Sequence, residues 1–430
     1  MQIRLQSKKT MQRAILFYIV SILLVIDGGS MYLNTVGSMI SNGMVKALLV
    51  LLCVLSLVLR RKVIRNGVYA SICIVAYISV YMLATNYNTW LCLEYVIVYA
   101  ALMLFFFDII HFYELDLFLN AFSSVVVALA VISLFFWVFG SILHLIPKRT
   151  IYYIWGREYA YVGYNYIFLY YENPVQAAGS IIRNTGIFTE APGYVDRLII
   201  ALCIEMFYKR EKITSFRVVV LLFAMLTTLS SKALILLIYM VGVKWFFYNK
   251  LNTKWKYFLH FFVVIVVGAI AVFLLNRIMQ NEMATASSRW ARYDHLQSGI
   301  RAFLDYPIFG VGYNNMDALA RYHLYRSTPK GASMGIATSL GEGGIYMFLL
   351  YIGSSICAYY SISRYNRIRR KDYVLFLGAI FIEWFISNIG YSTMMMSLVC
   401  SGYAYAFSKR QKSSRKIMID GTQRLKTRAY

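Results

Sequence analysis

Long apolar runs separated by short basic turns set the pattern of this chain. They cover residues 14–33, 44–59, 67–84, 90–107, 121–143, 194–208, 217–230, 233–248, 258–275, 345–362, 372–389 and 394–408. A bilayer core takes about 20 apolar residues per helix, with shorter spans tolerated. Lipid offers the backbone no hydrogen-bond partners, so such runs should close their bonds internally as helices. The pattern predicts an all-α polytopic membrane protein with about 12 transmembrane helices. Two long polar, aromatic stretches interrupt it. The expected organisation is five helices in 1–143, a first external aromatic loop in 144–193 and four helices in 194–275. A second external loop with an amphipathic helix follows in 276–344, then three helices in 345–408 and a basic cytoplasmic tail in 409–430.

Composition sharpens this picture. The 430 residues are 60% hydrophobic and 14% charged, where soluble domains run near half apolar and a quarter charged. The net charge of +24 raises the question of nucleic acid. Most Lys and Arg, however, sit in short loops between apolar runs, as cytoplasmic loops do. No basic helix or aromatic-interleaved module reads as a nucleic-acid binder. With both termini inside, Lys and Arg concentrate on the cytoplasmic side and the two long stretches face outside. The acidic turn at 107–119 fits that orientation least well. Cys53, Cys73, Cys92, Cys203, Cys357 and Cys400 all lie in apolar runs. They read as packing residues, with neither a disulfide framework nor a zinc site. The basic start and the run from Ala14 lack a small-residue cleavage site, which predicts a retained first helix.

Candidate chemistry lies where the long stretches meet the helices. In RNTGIFTEAPGYVDRL (183–198), Arg183, Glu190, Asp196 and Arg197 cluster at a membrane entry. Ionisable groups there are costly and often line a cavity; the alternative is an interfacial salt-bridge cluster. Upstream, Tyr159, Tyr161 and Tyr164 belong to a tyrosine-rich stretch suited to sugar faces and hydroxyls, or to an aromatic belt. Within residues 287–315, Ser287 or Ser288 can cap an amphipathic helix that Pro307 stops. Trp290, Tyr293, Leu296, Ile300, Phe303 and Leu304 share one face, and Arg292, Asp294, His295, Ser298 and Arg301 the other. Arg289 falls toward the apolar side. The GVGYNN turn carrying Asn314 permits close backbone approach to a ligand. It is no dinucleotide fingerprint. Glu342, among Gly341, Gly343 and Gly344, is a candidate general base or an interfacial carboxylate. Lys232 stands in a tight turn or broken helix between two short runs, where it reaches a buried anion or snorkels. The histidines share no ligand spacing, so neither a metal nor a cofactor is expected.

In order and spacing, three patches resemble the bacterial O-antigen polymerase and ligase group, which includes Wzy-type polymerases. They are Arg183-x-x-Gly186-x-Phe188-x-Glu190-x-Pro192, then Arg289 with Pro307, Gly310, Gly312 and Asn314, then Glu342-x-Gly344. Together they cover about a fifth of the chain. The ligase branch carries a His-Asn pair ahead of Glu-x-Gly; Ser333 and Met334 stand there here, which favours the polymerase branch. The resemblance implies a metal-independent glycosyltransferase of the bacterial cytoplasmic (inner) membrane. It would join undecaprenyl-pyrophosphate-linked repeat units on the outer face, for O-antigen, capsule or exopolysaccharide. In that reading Arg183 and Arg289 stabilise the leaving pyrophosphate. Glu190 or Glu342 accepts the acceptor proton. Arg197, Arg292, Arg301, His295, Tyr159, Tyr161, Tyr164 and Asn314 contact substrate. Implied partners are the lipid-linked glycan, membrane lipid, a chain-length regulator and a flippase. The rivals are a flippase for the same lipid, an O-antigen ligase, and a membrane scaffold.

Overall fold

Among the described residues, the apolar runs close their hydrogen bonds internally as helices. The computed structural model describes residues 2–60, 64–85, 89–154, 160–176, 181–248, 283–325, 333–362 and 369–408. Within these, helices α1 (Gln2–Ile26), α3 (Asn42–Arg60), α4 (Arg65–Thr85), α5 (Thr89–His111) and α6 (Leu115–Phe136) form the N-terminal half, with a single short turn, α2 (Met31–Asn34), after α1. Then come α7 (Ala191–Cys203), α8 (Phe216–Thr227), α9 (Ser231–Tyr248), α10 (Met283–Asp305), a short α11 (Met316–Ala320), α12 (Gly335–Ile362), α13 (Arg370–Ile386) and α14 (Thr393–Phe407). The run at 258–275 lies outside the described residues.

The expected span number is not reached among the described residues. Five helices are long and apolar enough to cross a membrane: α3, α4, α5, α6 with its extension to Ile142, and α12. The other apolar runs form shorter elements, for instance the 13 residues of α7 and the 12 of α8. Both α6 and α7 end in a π-helical turn, at Trp137–Ile142 and Ile204–Tyr208.

The fold is also not purely helical, which corrects the all-α expectation. Strands β1 (Arg149–Ile154), β2 (Ala160–Tyr166) and β3 (Tyr170–Glu172) form an antiparallel sheet in the order β1-β2-β3. Tyr153 pairs with Tyr161, and Tyr164 with Glu172. The physical reason is the residue type: Tyr, Ile and Val favour a pleated, half-buried surface. Glu172 pins the sheet to the end of α6. Its buried carboxylate accepts from Ser141 Oγ (2.9 Å), Lys148 Nζ (2.6 Å) and Tyr166 OH (2.6 Å).

The second glycine-rich region explains itself through a break in α12. Gly344 takes φ +58°, outside the helical region. The break leaves backbone groups without helical partners, and segment 307–312 supplies them. Val311 and Gly312 N–H donate to the carbonyls of Gly341 (2.9 Å) and Glu342 (3.0 Å). In return, Ile345 and Tyr346 N–H donate to Pro307 (2.8 Å) and Ile308 (3.0 Å). A side chain at Gly344 would fall on the Ile308 carbonyl, and one at Gly310 on the Glu342 backbone. The two glycine motifs of the sequence are thus the two halves of one interlock. From α4, Tyr81 OH donates to the Glu342 carbonyl (2.8 Å) and Tyr77 stacks on Tyr346 at 4.1 Å.

Candidate functional site

The first patch enters the bundle as a pinned, largely buried strap. Asn184 donates from its side chain to Thr227 Oγ1 (3.0 Å) and its carboxamide oxygen accepts from Gly186 N–H (3.1 Å). Thr185 donates to the Tyr171 carbonyl (2.7 Å), and Thr189 to Gly29 (3.1 Å). Phe188 stacks on Tyr194. The strap delivers Glu190 to the N-cap position of α7, in extended conformation. There the helix dipole favours a negative charge.

One turn into α7, the carboxylate of Asp196 pairs with Lys232 and, at 3.3 Å, with Arg197. Lys232 Nζ also meets Glu383 Oε1 at 2.7 Å and Ser387 Oγ at 2.8 Å. Lys232 is 2% exposed and sits at the start of α9, where the helix dipole opposes a cation. Its two carboxylate partners hold it there. Glu383 Oε2 is buried with no hydrogen-bond partner among the described residues. The buried Arg197 guanidinium donates to the backbone carbonyls of Asp27 and Gly28, tying α7 to the end of α1. Asp27 accepts from Thr393 of α14.

The second patch comes within electrostatic reach of the first through Arg292. Polar residues of α10 point inward: Asp294, His295 and Ser298 are buried, while Tyr293, Ile300 and Leu304 are exposed. This inverts the order of a water-facing helix and suits one whose apolar side meets lipid. Asp294 accepts from the backbone N–H of Leu324 (2.6 Å) and Tyr325 (3.2 Å). His295 Nδ1 shares a hydrogen bond with Ser333 Oγ at 2.9 Å. Arg292, one turn earlier, lies within electrostatic reach of Glu190, as do Lys232 and Asp196. Burial pushes the Glu190 carboxyl up to about 7. Asp196 adds to this, and the charges of Lys232 and Arg292 oppose it.

Glu342 occupies the α12 break. It is 1% exposed, and the Asn314 backbone N–H bonds its carboxylate. Its Oε1 has no partner among the described residues. Tyr313 lies within reach of Glu342 and Asp27 and packs on Tyr95 (4.8 Å) and Tyr391 (4.7 Å).

Arg292, Lys232 and Asp196 therefore all lie within electrostatic reach of Glu190. Arg197 is buried on backbone carbonyls, so its part is to fix α7. Arg183 is partly buried at the start of the strap, and Arg301 and Asn314 are exposed. Tyr161 stacks on Tyr153 at 5.7 Å, and Tyr164 lies 3.9 Å beneath the Lys148 ammonium. Tyr159 lies outside the described residues, as does the side chain of Arg289 on α10. Sequence reading left Glu383 unmarked and Lys232 undecided. The available signal was an ionisable residue inside an apolar run. Among the described residues, no three His, Cys, Asp or Glu side chains gather to hold a metal ion.

Residues 216–352 match the family model described as O-antigen ligase, Wzy_C. The matched segment runs from α8 through the α12 break and includes Lys232, Arg292, His295 and Glu342. Over that segment the chain is similar to the Wzy-type, O-antigen ligase family, and five of its described helices are long and apolar enough to cross a membrane. No curated protein and no solved structure matches the chain.

Proposed function

We propose that the protein is a polysaccharide polymerase. It joins oligosaccharide repeat units carried on undecaprenyl pyrophosphate at the outer face of the bacterial cytoplasmic membrane. The observation that carries this reading is the Glu190 carboxyl at the α7 N-cap, within electrostatic reach of Arg292 on α10. An acid from the first long stretch and a permanent cation from the second, far apart in sequence, come within electrostatic reach of each other at the start of α7. The transfer needs both groups. The acceptor hydroxyl oxygen attacks the anomeric carbon of the donor, and the bond from that carbon to the pyrophosphate oxygen breaks. The hydroxyl proton passes to Glu190, whose carboxyl near 7 suits a general base at neutral pH. The electron pair of the broken bond leaves with the lipid pyrophosphate. Arg292, Arg183 and Arg289 supply charge-assisted hydrogen bonds to that growing negative charge. Glu342 is the second candidate base, buried on the Asn314 amide. Arginines alone serve the leaving group in this reading, so transfer is expected to continue in EDTA.

Purified protein in lipid, given a lipid-pyrophosphate-linked repeat unit and EDTA, tests the reading. A ladder of longer oligomers from wild type, lost in Arg183→Ala, Arg289→Ala and Arg292→Ala of normal fold, supports it. The absence of any ladder from folded protein with verified donor would sink it, and transbilayer movement of the same lipid would then favour the flippase.

The description of the matching family favours a second reading, that of a ligase. It uses the same donor but a different acceptor lipid. Ser333 and Met334, in place of a His-Asn pair, weigh against it. Offering both acceptors in one assay separates the two.

A further inference from the structure

We propose that the helical bundle binds one acyl chain of an anionic phospholipid, in a cavity lined by α5, α6, α7, α12, α13 and α14. The cavity measures about 200 Å³. It runs along the helices: its lining extends from Tyr351 to Ile362 on α12 and from Met394 to Tyr405 on α14. Eleven residue steps on either helix, at about 1.5 Å each, give a length of about 16 Å. That is about half of a hydrocarbon core roughly 30 Å thick, the depth of one leaflet. The walls are chiefly buried apolar side chains such as Phe106, Phe118, Phe122, Phe207 and Ile380. The serines among them are already committed to backbone carbonyls. Ser354 donates to Val399 (2.8 Å), Ser355 to Tyr351 (3.2 Å), Ser397 to Thr393 (2.8 Å) and Ser401 to Leu398 (2.8 Å). A sugar or a cluster of waters needs several polar partners, and apolar cavities of this kind stay dry and take apolar guests. A bilayer supplies such guests as hydrocarbon chains.

Charge at the two ends of the cavity decides which chain. At the end where α12 stops, Asp372 of α13 and Tyr208 line it. Asp372 is held by Arg210 at 3.1 Å and follows the exposed Arg369, Arg370 and Lys371. Tyr208 is followed directly by Lys209 and Arg210. Basic side chains at a membrane surface attract anionic lipid, so a phosphate head at this rim and a chain in the cavity are served together. The other end stops at Leu24 and Met394. There the neighbouring side chain is the buried carboxylate Asp27, which accepts from Thr393, and no row of exposed cations stands beside it among the described residues. An anionic head is therefore favoured at the α13 end, in the leaflet opposite Glu190. This site is independent of the transfer reading above.

The test uses the full chain in lipid nanodiscs and a phosphatidylglycerol carrying a photoactivatable diazirine partway along one acyl chain. After irradiation, the adducts are mapped by peptide mass spectrometry. The expected adducts fall on the cavity faces of 351–362 and 394–405, and they are competed by unlabelled phosphatidylglycerol but not by phosphatidylcholine. Adducts confined to outward-facing residues such as Tyr360, Val374 and Phe381, all exposed, would mean surrounding bilayer lipid only and overturn the proposal. So would competition by undecaprenyl phosphate but not by phosphatidylglycerol, which would assign the cavity to a polyprenyl chain. A variant that fills the cavity supplies the second arm. Ala358, buried in its wall, is changed to Phe, with Ser401→Leu as the milder alternative should Ala358→Phe fail to fold. The folded variant should lose the cavity adducts and keep those on the outward face. Cavity adducts undiminished in the filled variant would also overturn the proposal. No outcome depends on oligomer formation, so an absent ladder in the transfer assay leaves this site standing.

Discussion

The two ends of the helical bundle handle buried charge differently. At the Arg13 end, acids and bases are matched. Asp108 meets Arg13 at 2.8 Å and Arg60 at 3.1 Å, and Glu114 meets the same two arginines. Glu205 holds Lys209 and Arg217, both at 2.8 Å, and Asp372 holds Arg210 at 3.1 Å. About 21 Å along α1, at 1.5 Å per residue, the loop end gathers Asp27, Glu190, Asp196, Glu342 and Glu383. Against these stand Lys232, the rim residue Arg292 and an Arg197 largely committed to backbone carbonyls. A matched buried network mainly fixes geometry, because removing one partner strands the other. An excess of buried acid has no such balance, and costly ionisable groups near the membrane mark function. The comparison assigns anchoring to one end and chemistry to the other.

Breaking the loop end should give the largest effect. Glu190→Gln keeps shape and removes the base, so oligomer formation should fall roughly 100- to 10,000-fold with unchanged thermal unfolding. Glu342→Gln tests the alternative base in the same assay. If only one of the two abolishes transfer, the base is identified. At the opposite end, Asp108→Ala leaves Arg13 and Arg60 with one acid fewer. It should cost about 3 kcal/mol of stability, seen in thermal unfolding in detergent, while the folded fraction retains its transfer rate.

The interlock joining segment 307–312 to the break in α12 sits between these extremes. Gly344→Ala places a side chain at positive φ against the Ile308 carbonyl. A loss of about 2 kcal/mol or more is expected, in the range for strained backbone and clashes. Transfer should fall with it, since Glu342 lies in the same break.

A milder perturbation is pH. A base works only when ionised, and Glu190 titrates near 7. The rate should hold above that value and decline as pH falls through it; a flat profile across that range would exclude Glu190. Smallest of all, Lys46→Ala removes a pair with Glu94 in which both partners are partly exposed. Its effect on stability should stay below about 1 kcal/mol and shrink with salt.

Much of this arrangement was legible in the chain. The apolar runs mark the described helices, and Pro307 marks the end of α10. Glu190 and Glu342 stood out as acids beside proline or glycine at helix entries. What the pattern hid is long-range pairing. Lys232 and Glu383 are 151 residues apart, and neither sits in a motif, so only folding reveals the clamp. The sheet was hidden for another reason: a tyrosine-rich segment satisfies an aromatic belt, a sugar platform and a strand equally well. The start of α12 was obscured because Gly341, Gly343 and Gly344 read as loop. In fact Gly344 alone leaves the helical region, and segment 307–312 repairs the break.

The most direct test is one oligomer-formation assay comparing the two ends. Wild type, Glu190→Gln, Glu342→Gln and Asp108→Ala are each given lipid-pyrophosphate-linked repeat unit, matched for folded protein. Wild type and Asp108→Ala should build the same ladder, while at least one of the glutamate variants builds none. Equal ladders from both glutamate variants, or a ladder lost only in Asp108→Ala, would contradict the assignment of chemistry to the loop end.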